Sequence, residues 1–200
     1  MPNKNVDPMT KEEDFSCGPV QQLLHEDHER VADLFFQFSQ TDEESEQETI
    51  VKDIIKELFV HASVEEEIVY PAVRKEVEDS EDMMDEADTE HHMIKILLAE
   101  LSTMKADDDF FKAKVTVLAE LVKHHVEEEE KEMFKEIHDS DIDPEELGKK
   151  MAKRKEDLEA MPVPKIDPEI NSLSLKAGGK AKKAEPKKLT PKQTQAKKSA

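Results

Sequence analysis

His61-Ala-Ser-Val-Glu65 and His125-Val-Glu-Glu-Glu129 share one spacing, in which a histidine stands four residues before a glutamate. Residues four apart lie on one face of an α-helix, one turn above the other. An imidazole and a carboxylate stacked in this way can reach the same metal ion, and two such helices facing each other could hold two ions. A bundle core built only for stability would carry Leu or Val at these positions. The repeat therefore predicts a metal site inside a helical protein.

The composition favours helix over sheet. Only 4 Gly, 8 Phe and 1 Tyr occur among the 200 residues, and Trp is absent, whereas good helix formers are abundant. The single cysteine, Cys17, excludes an intramolecular disulfide framework. The N-terminal residues lack the apolar stretch of a signal peptide, and no apolar run approaches the roughly 20 residues of a membrane span. We therefore expect a cytoplasmic protein without membrane contact.

The charge is distributed unevenly along the chain. The net charge is −20. Positions 162–200 carry 10 Lys and 3 acidic side chains, or +7, so positions 1–161 carry 19 basic and 46 acidic side chains, or −27. An acidic body repels phosphates, and only the basic end of the chain could attract them. The tail is therefore the one candidate for weak contact with nucleic acid or with an acidic surface.

Apolar residues recur at three- and four-residue steps in four long segments, which predicts four helices. The first begins at Gly18-Pro19, the second near residues 40–44, and the third near Ser80; the fourth follows a turn at residues 105–109. Pro71 lies within the second pattern and predicts a kink or break before Ala72. A short fifth helix begins at Asp143-Pro144-Glu145-Glu146, which combines an N-cap with proline in the first turn, and runs to about Ala160.

These segments define the expected organisation. We predict an all-α, up-down-up-down four-helix bundle with a short fifth helix and a disordered C-terminal tail. Residues 1–17 form a mobile N-terminal segment, residues 18–160 the helical bundle, and residues 161–200 a Lys-rich tail with almost no large apolar side chains. Such a tail buries too little surface to offset the entropy lost on ordering.

Helical position separates the eight histidines into two classes. Four lie on apolar stripes, one in each long helix, and the others are predicted to be solvated or near a helix end. The stripe histidines are His28, His61, His91 and His125. The others are His25, His92, His124 and His138. One histidine on an apolar stripe would most simply be a hydrogen-bonded core residue, but four of them, two within His-x3-Glu, favour a metal site.

The acidic residues near these histidines divide in the same way. Glu65 and Glu129 lie on the apolar face below a histidine, where an unpaired charge would be costly. The acidic run 127–130, taken as a group, otherwise predicts a solvated helix face.

Four sequence motifs resemble the hemerythrin-like family, the HHE cation-binding domains. They are Glu-Asp-His28, His61-Ala-Ser-Val-Glu65-Glu-Glu-Ile-Val-Tyr-Pro, Thr-Glu-His91-His, and His124-His125-Val-Glu-Glu-Glu129-Glu. The resemblance covers about residues 19 to 138. It implies a left-handed four-helix bundle around a non-haem di-iron centre. It also implies that His28, His61, His91 and His125 are ligands, and that Glu65 and Glu129 bridge the two irons.

The third helix departs from the pattern of oxygen-carrying hemerythrins, which place two histidines four residues apart there. In this chain Lys95 follows His91 at that spacing. The corresponding coordination position is then open to water or filled by a carboxylate, which argues against reversible oxygen storage. The functions that remain compatible with this departure are iron handling, sensing, and redox chemistry with peroxide or nitric oxide.

Three functions are compatible with these motifs. The first is a di-iron protein that binds or senses dioxygen or related species, or that handles iron. The second is a di-iron oxidoreductase acting on peroxide or nitric oxide. The third is a metal-free helical interaction module that uses its basic tail. Imidazole and carboxylate ligands also suit zinc and manganese.

Overall fold

The computed structural model describes residues 18–162. The predictions of a mobile N-terminal segment and a disordered Lys-rich tail fall on residues outside this range, as does Cys17. Within it, the chain is helical apart from short connections. No helix between residues 18 and 162 is long and apolar enough to span a membrane.

Four long helical rods and one shorter rod follow one another along the chain. Two of the long rods contain one turn of π-helix, after which the α-helix resumes. The α-helices are α1 (Pro19–Gln40), α2 (Glu44–Val64), α3 (Tyr70–Glu76), α4 (Glu81–Leu101), α5 (Phe111–Glu128), α6 (Phe134–Asp139) and α7 (Pro144–Glu159). The first π turn (Glu65–Val69) joins α2 to α3, and the second π turn (Glu129–Met133) joins α5 to α6.

The four long rods form the predicted all-α bundle. Helix α1 packs against α2 and α4 packs against α5, while contacts of α2 with α4 and of α1 with α5 close the ring. Short connections between consecutive rods place them antiparallel. The predicted up-down-up-down architecture is confirmed.

The predicted break at Pro71 takes a different form. The second rod is not interrupted before Ala72; instead it passes through the first π turn and continues as α3 to Glu76. The backbone N–H of Tyr70 donates to the carbonyl of Glu65, five residues earlier, and Pro71 follows inside the first turn of α3, where proline is tolerated. Proline is not the cause, since the second π turn is followed by Phe134-Lys135.

The fifth helix begins as predicted. The side chain of Asp143 accepts hydrogen bonds from the backbone N–H groups of Glu145 and Glu146, at 3.0 and 3.1 Å, which caps the helix at Pro144. Helix α7 packs on α1, α2 and the first π turn. Its approach is close, because a Cβ atom on Gly18 would lie 2.8 Å from the Cβ of Pro144. The fifth helix thus covers the α1–α2 side of the bundle.

The apolar core has two clusters. One lies toward the connections 41–43 and 102–110 and includes Ile54, Leu98 and Leu118. The other includes Leu24 and Met133 and extends onto α7. The six predicted site residues are buried but belong to neither cluster, so the polar centre lies between two apolar regions.

Candidate metal centre

The six residues singled out in the sequence lie together in the middle of the bundle. One group of donor atoms belongs to His28, His61, Glu65 and Glu129, and a second group belongs to Glu65, His91 and His125. Within each group the donor atoms lie within 4.8 Å of one another. All six side chains are buried. The centre therefore offers two adjacent groups of side chains that could hold a cation.

Glu65 joins the two groups. Its Oε2 atom is 3.0 Å from Nε2 of His61 and 3.3 Å from Nε2 of His91. Glu129 is similarly central, since its Oε2 atom is 3.5 Å from Nε2 of His28 and 3.4 Å from Nε2 of His125. Each carboxylate thus faces histidines from two different helices.

Several of these atoms are buried without a hydrogen-bond partner among the described residues. They are Nε2 of His28, Nε2 of His61, both carboxylate oxygens of Glu65, and Oε2 of Glu129. An unpaired buried polar atom costs free energy, and native proteins rarely keep several in one place. Because all of these atoms point into the same centre, the residues present fit a bound metal ion.

Each of the four histidines also faces an outer carboxylate through its other ring nitrogen. The Nδ1 atoms of His28 and His125 lie 2.8 Å from Glu130 and Glu90, respectively. A carboxylate that accepts from Nδ1–H fixes the tautomer, so that Nε2 is left free as a ligand. His91 pairs with Glu66 in the same way, at 3.0 Å. Nδ1 of His61 lies 3.8 Å from Asp27, which is too far for a hydrogen bond, and it is buried without a hydrogen-bond partner among the described residues.

Glu130 therefore does not belong to a solvated face, contrary to the prediction for the acidic run 127–130. Its side chain is 23% exposed, and one oxygen accepts from both His28 and His25, each at 2.8 Å. His25, predicted to be solvated, is drawn toward the centre by this carboxylate. The prediction failed because a one-helix pattern does not reveal a partner on a neighbouring helix.

An internal repeat would have revealed the outer carboxylates. The donor pattern of α1 recurs in α4, and the donor pattern of α2 and the first π turn recurs in α5 and the second π turn. In each half of the bundle, an acidic residue stands directly before the first histidine, and a second acidic residue stands directly after the glutamate that faces the centre. The repeated pairs are Asp27 and Glu90, His28 and His91, His61 and His125, Glu65 and Glu129, Glu66 and Glu130, and Tyr70 and Phe134.

The last pair of the repeat owes its position to the π turns. A π turn encloses one residue more than an α turn, so the fifth residue after each glutamate comes to face the centre. Tyr70 stacks on His91 with ring centroids 5.4 Å apart, and Phe134 stacks on His28 at 6.2 Å. A regular helical period would have turned both rings away, which is why periodicity alone assigns Tyr70 no role.

Tyr70 makes the two halves chemically different. Its hydroxyl donates to Oε1 of Glu129 at 3.0 Å and lies 3.3 Å from Nε2 of His91. Phe134 has no hydroxyl in the corresponding place. Burial, together with the negative charges of Glu129 and Glu65, raises the pKa of Tyr70 well above its usual value, so the hydroxyl keeps its proton and remains a donor.

Lys95 does not enter the centre. Its ammonium group pairs with the carboxylate of Glu66, the outer partner of His91. The position that a second histidine would use on α4 thus carries a cation that anchors the outer carboxylate. The oxygen group nearest to Nε2 of His91, besides Glu65, is the hydroxyl of Tyr70.

The charges of the centre are strongly coupled. Burial alone would raise the pKa of Glu65, but the neighbouring His61 and then His91 hold it well below its usual range. Burial likewise disfavours the charged form of His91, yet the nearby carboxylates of Glu65 and Glu66 outweigh it and raise the pKa of His91 to about 9. In the metal-free protein, protonated histidines thus balance the carboxylates, and a bound cation would displace those protons.

A small cavity of about 10 Å³ adjoins the four histidines, which is room for roughly one water molecule. An apolar layer closes it, with one residue from each long helix. In α1 and α4 this residue follows the histidine by three positions, and in α2 and α5 it precedes the histidine by three, as expected for alternating helix directions. The layer consists of Val31, Leu58, Ile94 and Val122.

The sequence profile of the family described as "Hemerythrin HHE cation binding domain" matches residues 20–137, more than half of the chain. The chain belongs to the hemerythrin HHE cation-binding domain family. The matched range contains all six residues of the centre. The resemblance inferred from the motifs is thus confirmed, and with it cation binding as the general property of the domain.

Two individual proteins resemble this HHE domain. A DNA nickase from Nostoc sp. (strain PCC 7120 / SAG 25.82 / UTEX 2576) is 30% identical over 123 residues, which are 60% of this chain and 34% of that protein. The chain therefore spans about a third of the length of that relative. A solved structure of an HHE cation-binding domain-containing protein from Mycobacterium kansasii has a TM-score of 0.60 and 24% identity, and the match covers 70% of this chain and 86% of that one. The second likeness concerns the fold.

Replacing Tyr70 with phenylalanine should destabilise the HHE domain, because Oε1 of Glu129 loses the donor that the structure gives it. Leaving a buried acceptor unpaired costs about 1–3 kcal/mol, and more when the acceptor is charged, and this loss is measurable as a lower midpoint of urea unfolding of the metal-free protein. The matched control is Phe134→Leu, which changes the equivalent ring but removes no hydrogen bond to a carboxylate. A Tyr70→Phe variant as stable as the unchanged protein would show that this hydrogen bond contributes nothing.

Proposed function

We propose that this HHE domain holds a non-haem di-iron centre between its four long helices, and that the protein uses it to bind or sense dioxygen or a related small molecule, or to handle iron. The observation that carries the proposal is the pair of donor groups that share Glu65. Each group also contains two histidines, and the first contains Glu129 as well. Both oxygens of the shared carboxylate lack a hydrogen-bond partner among the described residues. A single ion would leave one of the two groups unused.

The histidines, the two buried glutamates and the outer carboxylates would have different roles in binding the ions. His28, His61, His91 and His125 would supply neutral Nε2 atoms, and Glu65 and Glu129 would supply the negative charge that lowers repulsion between two cations. The outer carboxylates orient the rings and increase the basicity of the ligands. Iron bound by these residues would supply one-electron redox chemistry and a Lewis acid that binds small ligands.

The surroundings of the centre restrict what can reach it. The adjoining cavity of about 10 Å³ has room for roughly one water-sized molecule, which favours a very small ligand over a larger organic substrate. The apolar layer around it limits the entry of water, which favours uncharged ligands. This size range supports dioxygen, peroxide or nitric oxide as the class of ligand.

An oxidoreductase acting on peroxide or nitric oxide is the second candidate, because the same cavity accommodates these molecules. The centre does not support a metal-free interaction module, because its buried nitrogen and oxygen atoms without hydrogen-bond partners would cost free energy in the absence of a cation. The nickase activity named for the Nostoc relative belongs to a protein about three times as long as the shared region. Positions 1–161 of this chain carry a strong negative charge that repels DNA.

The proposal is tested by elemental analysis and an absorption spectrum of the full chain purified in air. We expect two iron ions per chain and the charge-transfer absorption of a di-iron centre. Zinc in place of iron after iron-replete expression, or a single ion, would refute the di-iron assignment. Oxygen evolution from peroxide at many turnovers per iron would select the enzyme over the sensor, and its absence would exclude peroxide decomposition.

A further inference from the structure

A second group of donor atoms lies on the outer surface of α4 and α5. Glu90, His124 and Glu128 each offer one atom, and these atoms lie within 4.8 Å of one another. The Nε2 atom of His124 is 3.6 Å from Glu90 and 3.3 Å from Glu128. We propose that these three side chains form a solvent-facing site for a divalent transition-metal ion, separate from the buried centre.

The donor set has the chemistry of a metal site rather than of an acidic patch. His124 and Glu128 repeat on the surface the four-residue spacing that places His125 next to Glu129 in the interior. One imidazole with two carboxylates suits zinc, manganese and iron. The side chain of His124 is 58% exposed, so water can fill the remaining coordination positions. An ion held in this way exchanges readily with solvent.

The internal repeat indicates that a cation belongs at this place. The counterpart of Glu90 in the first half of the bundle is Asp27, which pairs with the ammonium group of Lys155 from α7. Arg30 lies 3.1 Å from the same carboxylate. On that side, therefore, protein cations neutralise the outer carboxylate, and the fifth helix covers it.

The second half of the bundle lacks this cover. In the alignment that pairs His61 with His125, the counterparts of His124 and Glu128 are Val60 and Val64, which are buried in the apolar cluster that extends onto α7. Helix α7 packs on α1, α2 and the first π turn. The equivalent surface of α4 and α5 instead carries polar donors.

Within residues 18–162, Glu90 also lacks the lysine or arginine partners that Asp27 has. Among the ion pairs of residues 18–162, its partners are His124 and His125, and the nearby Lys123 pairs with Glu127. A divalent ion at this site would supply the missing positive charge. It would occupy the place that corresponds to the ammonium group of Lys155 in the other half.

One carboxylate connects the surface site to the buried centre. The Oε2 atom of Glu90 is 2.8 Å from Nδ1 of His125, while its Oε1 atom faces His124. Glu90 is therefore unsuitable as a test position, because changing it would disturb both sites. Within residues 18–162, His124 forms ion pairs with Glu90 and Glu128 and neither His124 nor Glu128 pairs with any of the six residues of the buried centre, so both can be changed separately.

The test is equilibrium dialysis of the full chain against Zn²⁺ at neutral pH. His124→Ala and Glu128→Gln should each bind one ion fewer per chain than the unchanged protein. The control is His138→Ala, since His138 is similarly exposed, at 64%, and pairs with the single acid Asp139; it should lose none. NMR signals of the His124 ring should shift when the weakest-bound Zn²⁺ is added.

Each outcome decides the question. Equal Zn²⁺ binding by His124→Ala and the unchanged protein, or a His124 ring that Zn²⁺ does not shift, would overturn the proposal. The result is independent of the di-iron proposal, because the test measures a difference of one ion between two proteins. If the buried centre failed to bind metal, His61→Ala would bind as much Zn²⁺ as the unchanged protein, while His124→Ala would still bind one ion fewer.

Discussion

Glu65→Gln should remove both metal ions from the buried centre. Glu65 contributes to both donor groups, its side chain has no exposed surface, and the amide of glutamine lacks the negative charge that two adjacent cations require. The metal content of the purified variant, measured by elemental analysis, should fall to near zero. The stabilisation that metal gives the unchanged protein, about 2.7 kcal/mol at a metal concentration of one hundred times Kd, should vanish as well.

The next residue in the chain is the matched control. Glu66 is an outer carboxylate that contacts His91 and Lys95 but belongs to neither buried donor group. Loss of such a partner typically lowers metal affinity about 10–100-fold without removing a ligand, so Glu66→Gln should still bind two ions at saturating metal. If Glu65→Gln retained both ions, the assignment of Glu65 as a bridge would be wrong.

His61→Ala and His125→Ala should each abolish or halve the retained iron. Each removes a nitrogen donor from one group of the buried centre, and the alanine leaves a gap that no other described side chain is placed to fill. Iron per chain after washing with a weak chelator is the measurement, because this wash removes loosely held surface ions. The two variants report on the two groups separately.

Neighbouring histidines provide the comparison for these two variants. His124→Ala and His92→Ala should keep the chelator-resistant iron, because each lies one helical position away from a buried histidine and is turned by about 100° from the core face. His124 is exposed in the structure, whereas His125 is buried. If His124→Ala and His125→Ala lost equal amounts of iron, the inference that only the core-facing histidine binds metal would be wrong.

The architecture followed from the sequence because its signals are local. Four apolar stripes with helical spacing predict four amphipathic helices, and the cap at Asp143 predicts the start of the fifth. The six buried donors followed from the same reasoning, since a polar residue on an apolar stripe is conspicuous within one helix. His28 and His91 needed only their own helical neighbours to be recognised.

The outer partners could not be found in that way. Glu130 lies next to Glu129 on a strongly acidic stretch, and only the approach of α1 brings His28 and His25 to within 2.8 Å of its carboxylate. Glu66 and Glu90 reach histidines on neighbouring helices in the same manner. Periodicity describes one helix at a time and therefore predicts solvation for any charge off its apolar face.

The π turns show a second limit. A sequence period of 3.6 residues assumes an unbroken α-helix, and each π turn adds one residue directly after a metal-facing glutamate. This insertion brings Tyr70 and Phe134 onto the face of the centre. The role of the Tyr70 hydroxyl thus depends on a local change in backbone hydrogen bonding that the residue types do not predict.

The sequence by itself determined the helices, the bundle and the six polar residues on its inner face, because spacing along one helix dictates which side chains share a face. Tertiary structure alone decided which carboxylate supports which histidine, where Lys95 and Lys155 place their charges, and which side of the bundle α7 covers. These features depend on distances between helices, and such distances are set by packing of the whole bundle rather than by any single segment.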